Sequence, residues 1–187
     1  MKRLADEVKA RLGLPLVLVV AMWLVHVMNL VLGDLQIGPG IRPRDPQALW
    51  GILLSPFLHV NFTHLVANTL PFLILGWLVS LRGLRDFVVV TAFVALVGGG
   101  AVWLFGRPAS EHVGASGVVF GYLGFLLARG LFERSLLAVA LSLVAFFLYG
   151  GMIWGVMPVS TRVSWEGHLF GIMAGILVGR LMSTPTR

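Results

Sequence analysis

Long apolar runs alternate with short polar links along the chain, and this alternation predicts six helices. They cover about residues 14–33, 57–80, 86–105, 115–129, 135–156 and 167–183. Since a helix of about 20 apolar residues spans the hydrocarbon core of a bilayer, runs of this length indicate transmembrane helices. The pattern therefore predicts an all-α, polytopic membrane protein built as a bundle of six transmembrane helices.

The segments on either side of helix 1 follow other patterns. Residues 2–12 are basic and mildly amphipathic, which predicts a short helix at the cytoplasmic interface. Three prolines and two glycines between residues 34 and 47 rule out a continuous helix there. Residues 48–56 are apolar again and end at Pro56. We expect them to lie in the membrane interface, with Trp50 at the level of the headgroups.

The composition leaves no room for a separate water-soluble domain. Of the 187 residues, 58% are hydrophobic and 12% are charged, whereas soluble domains carry about 25% charged residues. The first apolar run is longer than the core of a signal peptide, so we expect it to be retained as helix 1. The predicted organisation is a cytoplasmic segment at 1–13, a membrane domain at 14–183 and a cytoplasmic tail at 184–187.

Basic residues are divided unevenly between the two sides of the predicted bundle. Ten of the 14 lie on the side that holds both termini: Lys2, Arg3, Lys9, Arg11, Arg82, Arg85, Arg129, Arg134, Arg180 and Arg187. The other four are Arg42, Arg44, Arg107 and Arg162. The positive-inside rule therefore predicts cytoplasmic termini. The net charge of +6 then reflects anchoring at an anionic leaflet, and we expect no nucleic-acid partner.

Four polar side chains are predicted at a similar depth in the membrane: His64, Asn68, Ser116 and His168. Along its helix, each of Asn68, Ser116 and His168 lies about 18–21 Å from the arginine at the predicted inner end. His64 lies one turn further towards the outer side. In a core about 30 Å thick, Ser116 is then about 10 Å below the outer face. Ionisable residues at such depth are costly and usually functional, so these positions indicate a site.

Regularly spaced glycines predict which helices touch. Helix 4 carries Gly114, Gly117, Gly121 and Gly124, and helix 6 carries Gly167, Gly171, Gly175 and Gly179. Stripes of small residues allow two backbones to approach closely. Because His168 shares the face of the helix 6 stripe, we expect Ser116 and His168 to come within hydrogen-bonding range.

This arrangement suits nucleophilic catalysis. Ser116 would attack a carbonyl while His168 takes its proton. No acidic residue is predicted at that depth, because Glu111 and Glu166 fall in the outer links, so packing alone would orient His168. The side chains of His64 and Asn68, together with the Ser116 N–H at a helix N-terminus, could stabilise the oxyanion. The alternative is that Ser116 and His168 only pack between helices, and that His64 and Asn68 only join helix 2 to the bundle.

A metal or cofactor is not expected. The chain has no cysteine, so it has neither a thiol nucleophile nor a cysteine metal site. His59 and His64 could be metal ligands, but a spacing of five does not place them on one helical face and no carboxylate joins them. His26 and Asn29 form a further polar pair on helix 1, which we interpret as structural.

Three motifs now identify a resemblance to the rhomboid intramembrane serine proteases. Gly114-Ala115-Ser116-Gly117 is similar to the family's Gly-x-Ser-Gly at the start of the fourth helix. His59, followed by His64 and Asn68, resembles the family's histidine and His-x-x-x-Asn in the second helix. His168, with Gly171 and Gly175, resembles the motif of the sixth helix. The motifs occur in the family's order and cover roughly residues 50–180.

The resemblance implies a fold, an activity and roles for single residues. The fold would be a six-helix bundle with a short central fourth helix. Ser116 would be the nucleophile and His168 the general base and acid, while His64, Asn68 and the Ser116 amide would form the oxyanion hole. His59 would support a water-filled cavity, and the link at 106–114 would pass over the site. The substrate would be a transmembrane segment cut near its outer end, where it unwinds.

The sequence departs from the family pattern at two positions. Many bacterial members have Trp-Arg in the first loop, whereas Trp50 is followed here by Gly51. Many members also have a tyrosine four residues after the serine, where this chain has Phe120. We expect the Phe120 ring to pack on His168 without supplying a hydroxyl. Neither departure removes a catalytic atom.

Two other functions are compatible with parts of the pattern. A non-catalytic member would bind transmembrane segments, but such relatives usually lose the serine or the histidine. A small transporter would be expected to show an internal repeat and acidic residues at mid-depth. The main expectation is therefore a serine endopeptidase in a bacterial inner membrane, with its site open to the outer side. Its partners would be the lipid bilayer and transmembrane substrates, and a monomer would suffice for catalysis.

Overall fold

The computed structural model describes residues 2–33, 38–159 and 163–183, with side chains from residue 11 onward. Six main helices follow one another: α1 (Lys2–Leu32), α2 (Phe62–Ser80), α3 (Leu84–Phe105), α4 (Ser116–Phe132), α5 (Leu136–Val156) and α6 (Trp165–Leu181). The middle of α3 is a π-helical segment, and the end of α5 is a 3-10 helix. No strand occurs in these ranges, so the predicted all-α fold is confirmed.

Within the described residues, four helices are long and apolar enough to cross a membrane: α1 from Arg11, α2, α3 and α5. The other two, α4 and α6, have 17 residues each. A helix of that length reaches about 25 Å, slightly less than the hydrocarbon core. Since α4 is buried along most of its length and packs against α2, α3, α5 and α6, it is the short central helix of the bundle.

Two predicted boundaries at the N-terminal side were wrong. Residues 2–12 do not form a separate helix but continue into α1, which runs through Pro15. A proline inside a helix removes one hydrogen bond, and transmembrane helices tolerate this loss. Helix 2 does not begin at residue 57 but at Phe62, because the Asn61 side chain caps it by accepting the His64 N–H at 2.8 Å. His59 therefore lies before the helix, not on it.

The link between α1 and α2 consists of short helical turns. They are Pro46–Ala48, Gly51–Leu54 and Ser55–Phe57. Gly51 packs directly on the Gly40 backbone, where a Cβ would overlap the Gly40 carbonyl. This contact leaves no room for a side chain at the position after Trp50. The Trp50 side chain itself is exposed.

At the end of α4 opposite Ser116, the helices are joined by a buried arginine. Arg129, near the end of α4, is 2% exposed and donates to the Met182 carbonyl at 2.7 Å. It also pairs with Glu133, which accepts from Arg82 at 3.0 Å. These contacts join the ends of α4 and α6 to the α2–α3 link. The predicted tail at 184–187 and the predicted outer residue Arg162 lie outside the described residues.

Candidate active site

The contact between α4 and α6 is as close as the glycine stripes predict. A Cβ on Gly171 would overlap the Gly117 carbonyl, and one on Gly175 would overlap the Gly121 carbonyl. On the other side of the contact, a Cβ on Gly124 would overlap the Ile172 carbonyl. The two backbones touch at these positions, which confirms the predicted helix pair. This contact sets the distance between the N-terminal ends of α4 and α6.

A tight turn at Gly114 places Ser116 at the first position of α4. Gly114 has φ +109°, a conformation that favours glycine, and its N–H donates to the Ser55 carbonyl at 2.8 Å. A Cβ at Gly114 would lie 2.6 Å from Cε1 of His64, so glycine is also required by space. The Ser116 N–H is one of the first amides of the helix and has no acceptor within it.

Ser116 and His168 meet at the N-terminal ends of this helix pair. The distance from Ser116 Oγ to His168 Nε2 is 2.9 Å, and the distance from His168 Nδ1 to the Gly155 carbonyl oxygen is 2.8 Å. A carbonyl oxygen can only accept, so Nδ1 must carry the proton of the neutral ring. Nε2 is then an acceptor and receives the Ser116 hydroxyl proton. Packing alone was expected to orient His168, but a backbone carbonyl from the end of α5 fixes its tautomer.

Phe120 supports the same imidazole from its face. The two rings stack at 4.1 Å between centroids with an angle of 3° between their planes. The predicted packing of Phe120 on His168 is confirmed. Gly155 allows this arrangement, because a Cβ there would lie 2.9 Å from Phe120 Cζ and 3.2 Å from His168 Nδ1. The role of Gly155 is not visible in the sequence, since no periodicity connects the end of α5 to a residue 13 positions later.

His64 and Asn68 face Ser116 and His168 across one cavity of about 890 Å³. Asn68 is 5% exposed, and its side-chain amide donates to the His64 carbonyl at 2.9 Å. An amide nitrogen carries two protons, so the second can be donated into the cavity. The structure thus brings all four polar residues of the predicted site together. Residues 107–113 line the same cavity, and the 106–114 link therefore covers the site.

His59 lies behind this cavity. Its ring contacts the His64 ring edge-to-face at 5.1 Å between centroids, and its Nε2 accepts from the Ala115 N–H at 3.5 Å. A helical spacing of five therefore does not describe the two histidines, because His59 lies before the helix. His59 also lines a second cavity of about 440 Å³ beside the first loop, together with His26 and Asn29.

Glu166 is not in the outer link, as the sequence indicated, but in the first turn of α6 and only 2% exposed. Arg107 pairs with it through two contacts, Nε to Oε1 at 2.5 Å and Nη2 to Oε2 at 3.2 Å. A buried carboxylate needs such a partner, since an unpaired charge is costly to bury. The pair fastens the 106–114 link to the start of the helix that carries His168.

Comparison with known proteins gives one consistent result. Residues 46–185 match the family model of the rhomboid domain. An uncharacterized protein of Mycobacterium tuberculosis is 43% identical over 180 residues, which cover 92% of this chain and 75% of the relative. YdcA of Bacillus subtilis, provisionally named a rhomboid protease, is 30% identical over 139 residues, or 71% of this chain and 67% of YdcA. The rhomboid protease GluP of the same species is 28% identical over 144 residues, or 74% of this chain and 27% of GluP.

Proposed function

The chain belongs to the rhomboid family of integral membrane proteins, and on this premise we propose that it is an intramembrane serine endopeptidase. The observation that carries the proposal is the hydrogen bond of 2.9 Å between Ser116 Oγ and His168 Nε2. A serine whose hydroxyl proton already points at a neutral imidazole is prepared for nucleophilic attack. The carbonyl of Gly155 takes the orienting position that a carboxylate holds in a triad.

The reaction follows from the positions of the protons. Ser116 Oγ attacks the scissile carbonyl carbon while its proton passes to His168 Nε2. The tetrahedral intermediate then collapses, the C–N bond breaks, and His168 returns the proton to the leaving amine. In the second half, a water molecule attacks the acyl-enzyme and gives a proton to His168. His168 then returns this proton to Ser116 Oγ as the ester C–O bond breaks, so the acyl group leaves as a carboxylic acid and Ser116 is restored.

The oxyanion would be stabilised by donors that surround the cavity. The first is the Ser116 N–H at the N-terminus of α4, where the helix dipole also favours negative charge. The second is the free proton of the Asn68 amide, held in place by the His64 carbonyl. The third is the His64 ring, which borders the same cavity. Removing one such donor typically costs about 10²–10³ in kcat.

The substrates we propose are transmembrane segments of other membrane proteins. A peptide bond inside a stable helix is shielded and hydrogen-bonded, so a segment must unwind locally before Ser116 can reach it. The cavity is large enough for several residues of extended chain and lies under the 106–114 link. We also propose that this link faces the outer side and that both termini are cytoplasmic, as the distribution of basic residues favours. Cleavage would then occur near the outer end of the segment.

The test compares protein termini in membranes that contain the chain or Ser116→Ala at equal abundance. Terminal-peptide mass spectrometry should show new termini within or beside transmembrane segments only with the unaltered chain. Each substrate found in this way is then incubated with the purified chain in liposomes. Identical sets of termini in both samples would refute a protease. Equal effects of both proteins on the abundance of intact membrane proteins would favour the non-catalytic, segment-binding alternative.

A further inference from the structure

A second pair of serine and histidine lies just outside the first. His112, in the link above the cavity, is 4% exposed, and its Nδ1 lies 2.6 Å from Ser164 Oγ. Its Nε2 lies 2.9 Å from Ser110 Oγ. Both ring nitrogens are therefore engaged, although neither residue belongs to the machinery of the reaction described above. An imidazole with both nitrogens hydrogen-bonded thus lies at the rim of the site.

The direction of each hydrogen bond can be assigned from the neighbouring groups. Ser110 Oγ donates to the Arg107 carbonyl at 2.7 Å, so this hydroxyl must accept from His112 Nε2–H. Nδ1 of the neutral ring is then an acceptor, and Ser164 donates to it. Burial and the charge of Arg107 lower the pKa of His112, while Glu166 partly opposes this effect. The ring is therefore neutral near pH 7, as this pattern requires.

Ser164 lies at the start of α6, the helix that carries His168. Ser164 is the N-cap residue of α6, and its carbonyl accepts the His168 N–H at 3.1 Å. Serine at this position normally caps the helix with its side chain. Within the described part of the chain, however, the Ser164 side chain caps no amide of α6, and its hydroxyl is used on His112. A residue suited to capping is thus used to hold the link.

The contact joins corresponding points of the two segments that lead to the proposed catalytic pair. His112 is four residues before Ser116, and Ser164 is four residues before His168. The link is also held from its other side, where the Ile41 N–H donates to the His112 carbonyl and the Gly40 N–H donates to Glu111, at 2.9 and 2.8 Å. A link fixed on both sides transmits its position to the residues that follow it.

We propose that His112 and Ser164 are positioning residues that set the separation of Ser116 and His168 from the outer side. The glycine contact of α4 and α6 sets it from below, and the two together define the geometry of proton transfer. The inference rests on the proposed function, because it assigns a role in the same reaction. Neither residue touches the reacting atoms. Their effect is on the rate of the chemical step, since a small misplacement of reacting groups can cost about 10²-fold.

The test measures the rate of covalent labelling of the purified protein by a fluorophosphonate probe, as a maximal rate and a half-saturating concentration. Ser164→Ala should lower the maximal rate about tenfold and leave the half-saturating concentration within about twofold. Ser164→Thr keeps the hydroxyl and should restore most of the rate. His112→Phe should behave like Ser164→Ala.

The matched control is Ser135→Ala, which removes a serine N-cap from α5 that is bonded to the Ala138 N–H at 3.2 Å. It should lower the melting temperature but not the maximal labelling rate. Rates for Ser164→Ala equal to those of the unaltered chain would overturn the proposal, as would equal losses in Ser164→Ala and Ser164→Thr. Absence of labelling in the unaltered chain would instead count against the proposed function, so the two failures are distinguishable.

Discussion

At the scale of single residues, the chemistry depends on the direction of the hydrogen bonds around two imidazoles. His168 donates through Nδ1 to a carbonyl, which leaves Nε2 for the Ser116 hydroxyl. His112 donates through Nε2 to Ser110, which leaves Nδ1 for the Ser164 hydroxyl. The two rings thus hold opposite tautomers, each imposed by an oxygen that can only accept in that contact. Neither arrangement requires a carboxylate next to the ring.

Protonation of His112 gives a prediction about stability. Burial lowers the pKa of His112 in the folded protein, whereas an exposed histidine has a pKa of about 6.5. As the pH falls below about 6.5, the unfolded chain binds a proton at this position that the folded chain does not bind, so the free energy of unfolding decreases. The decrease ends once the pH is below the folded pKa.

Melting temperatures of the unaltered chain and of His112→Gln, measured in detergent between pH 8 and pH 5, check this expectation. The other histidines titrate in both proteins, so the difference between the two curves isolates position 112. The unaltered chain should lose more stability on acidification than the variant does. Parallel curves would show that His112 contributes no linked proton.

At the scale of the helices, the site depends on the absence of side chains between α4 and α6. Gly175→Ala would place a methyl group on the Gly121 carbonyl, so the helices must separate. Overpacking of this kind costs about 1–3 kcal/mol. The melting temperature should fall and fluorophosphonate labelling should slow, although Gly175 lies two turns from His168.

The chain offers a matched control in Gly100, a helical glycine of α3 whose added Cβ would meet no atom within 4 Å. Gly100→Ala should leave labelling unchanged and should not lower the melting temperature, since alanine favours a helix more than glycine does. Equal melting temperatures and labelling rates for Gly175→Ala and Gly100→Ala would contradict the close contact of the two backbones.

The sequence could predict the contact between the central helices but not every group that surrounds the histidines of the site. The spacing of the glycines in helices 4 and 6, among them Gly117 and Gly171, predicted the α4–α6 contact through helical periodicity, which is visible in the chain. The packing of Phe120 on His168 was expected only from the resemblance to the family, many members of which have a tyrosine at this position. The carbonyl of Gly155 could not be predicted, because a backbone acceptor leaves no trace in residue type. The position of His59 could not be predicted either, because the sequence of residues 59–64 is compatible with a helix as well as with the turn that precedes the N-cap residue Asn61.

At the scale of the whole molecule, the ion pairs and the hydrogen bonds of the site lie towards the two ends of an apolar bundle. At the C-terminal end of α4, Arg129 and Glu133 join the helices. At its N-terminal end, residues 107–113 line the cavity of the site. Ion pairs and hydrogen bonds hold this cover to α6 and to the first loop. The molecule thus combines a closely packed pair of central helices with a link that is held to α6 and to the first loop.

The most direct measurement of the central claim is to map where a fluorophosphonate binds covalently and how fast it does so. The probe needs no known substrate, because it reacts with a serine hydroxyl only when a base takes the proton. Intact-mass and peptide mass spectrometry should find one adduct per chain, on Ser116. The adduct should be absent in Ser116→Ala and should form at least about a hundredfold more slowly in His168→Ala. An adduct on another residue, or equal rates with and without His168, would contradict the account.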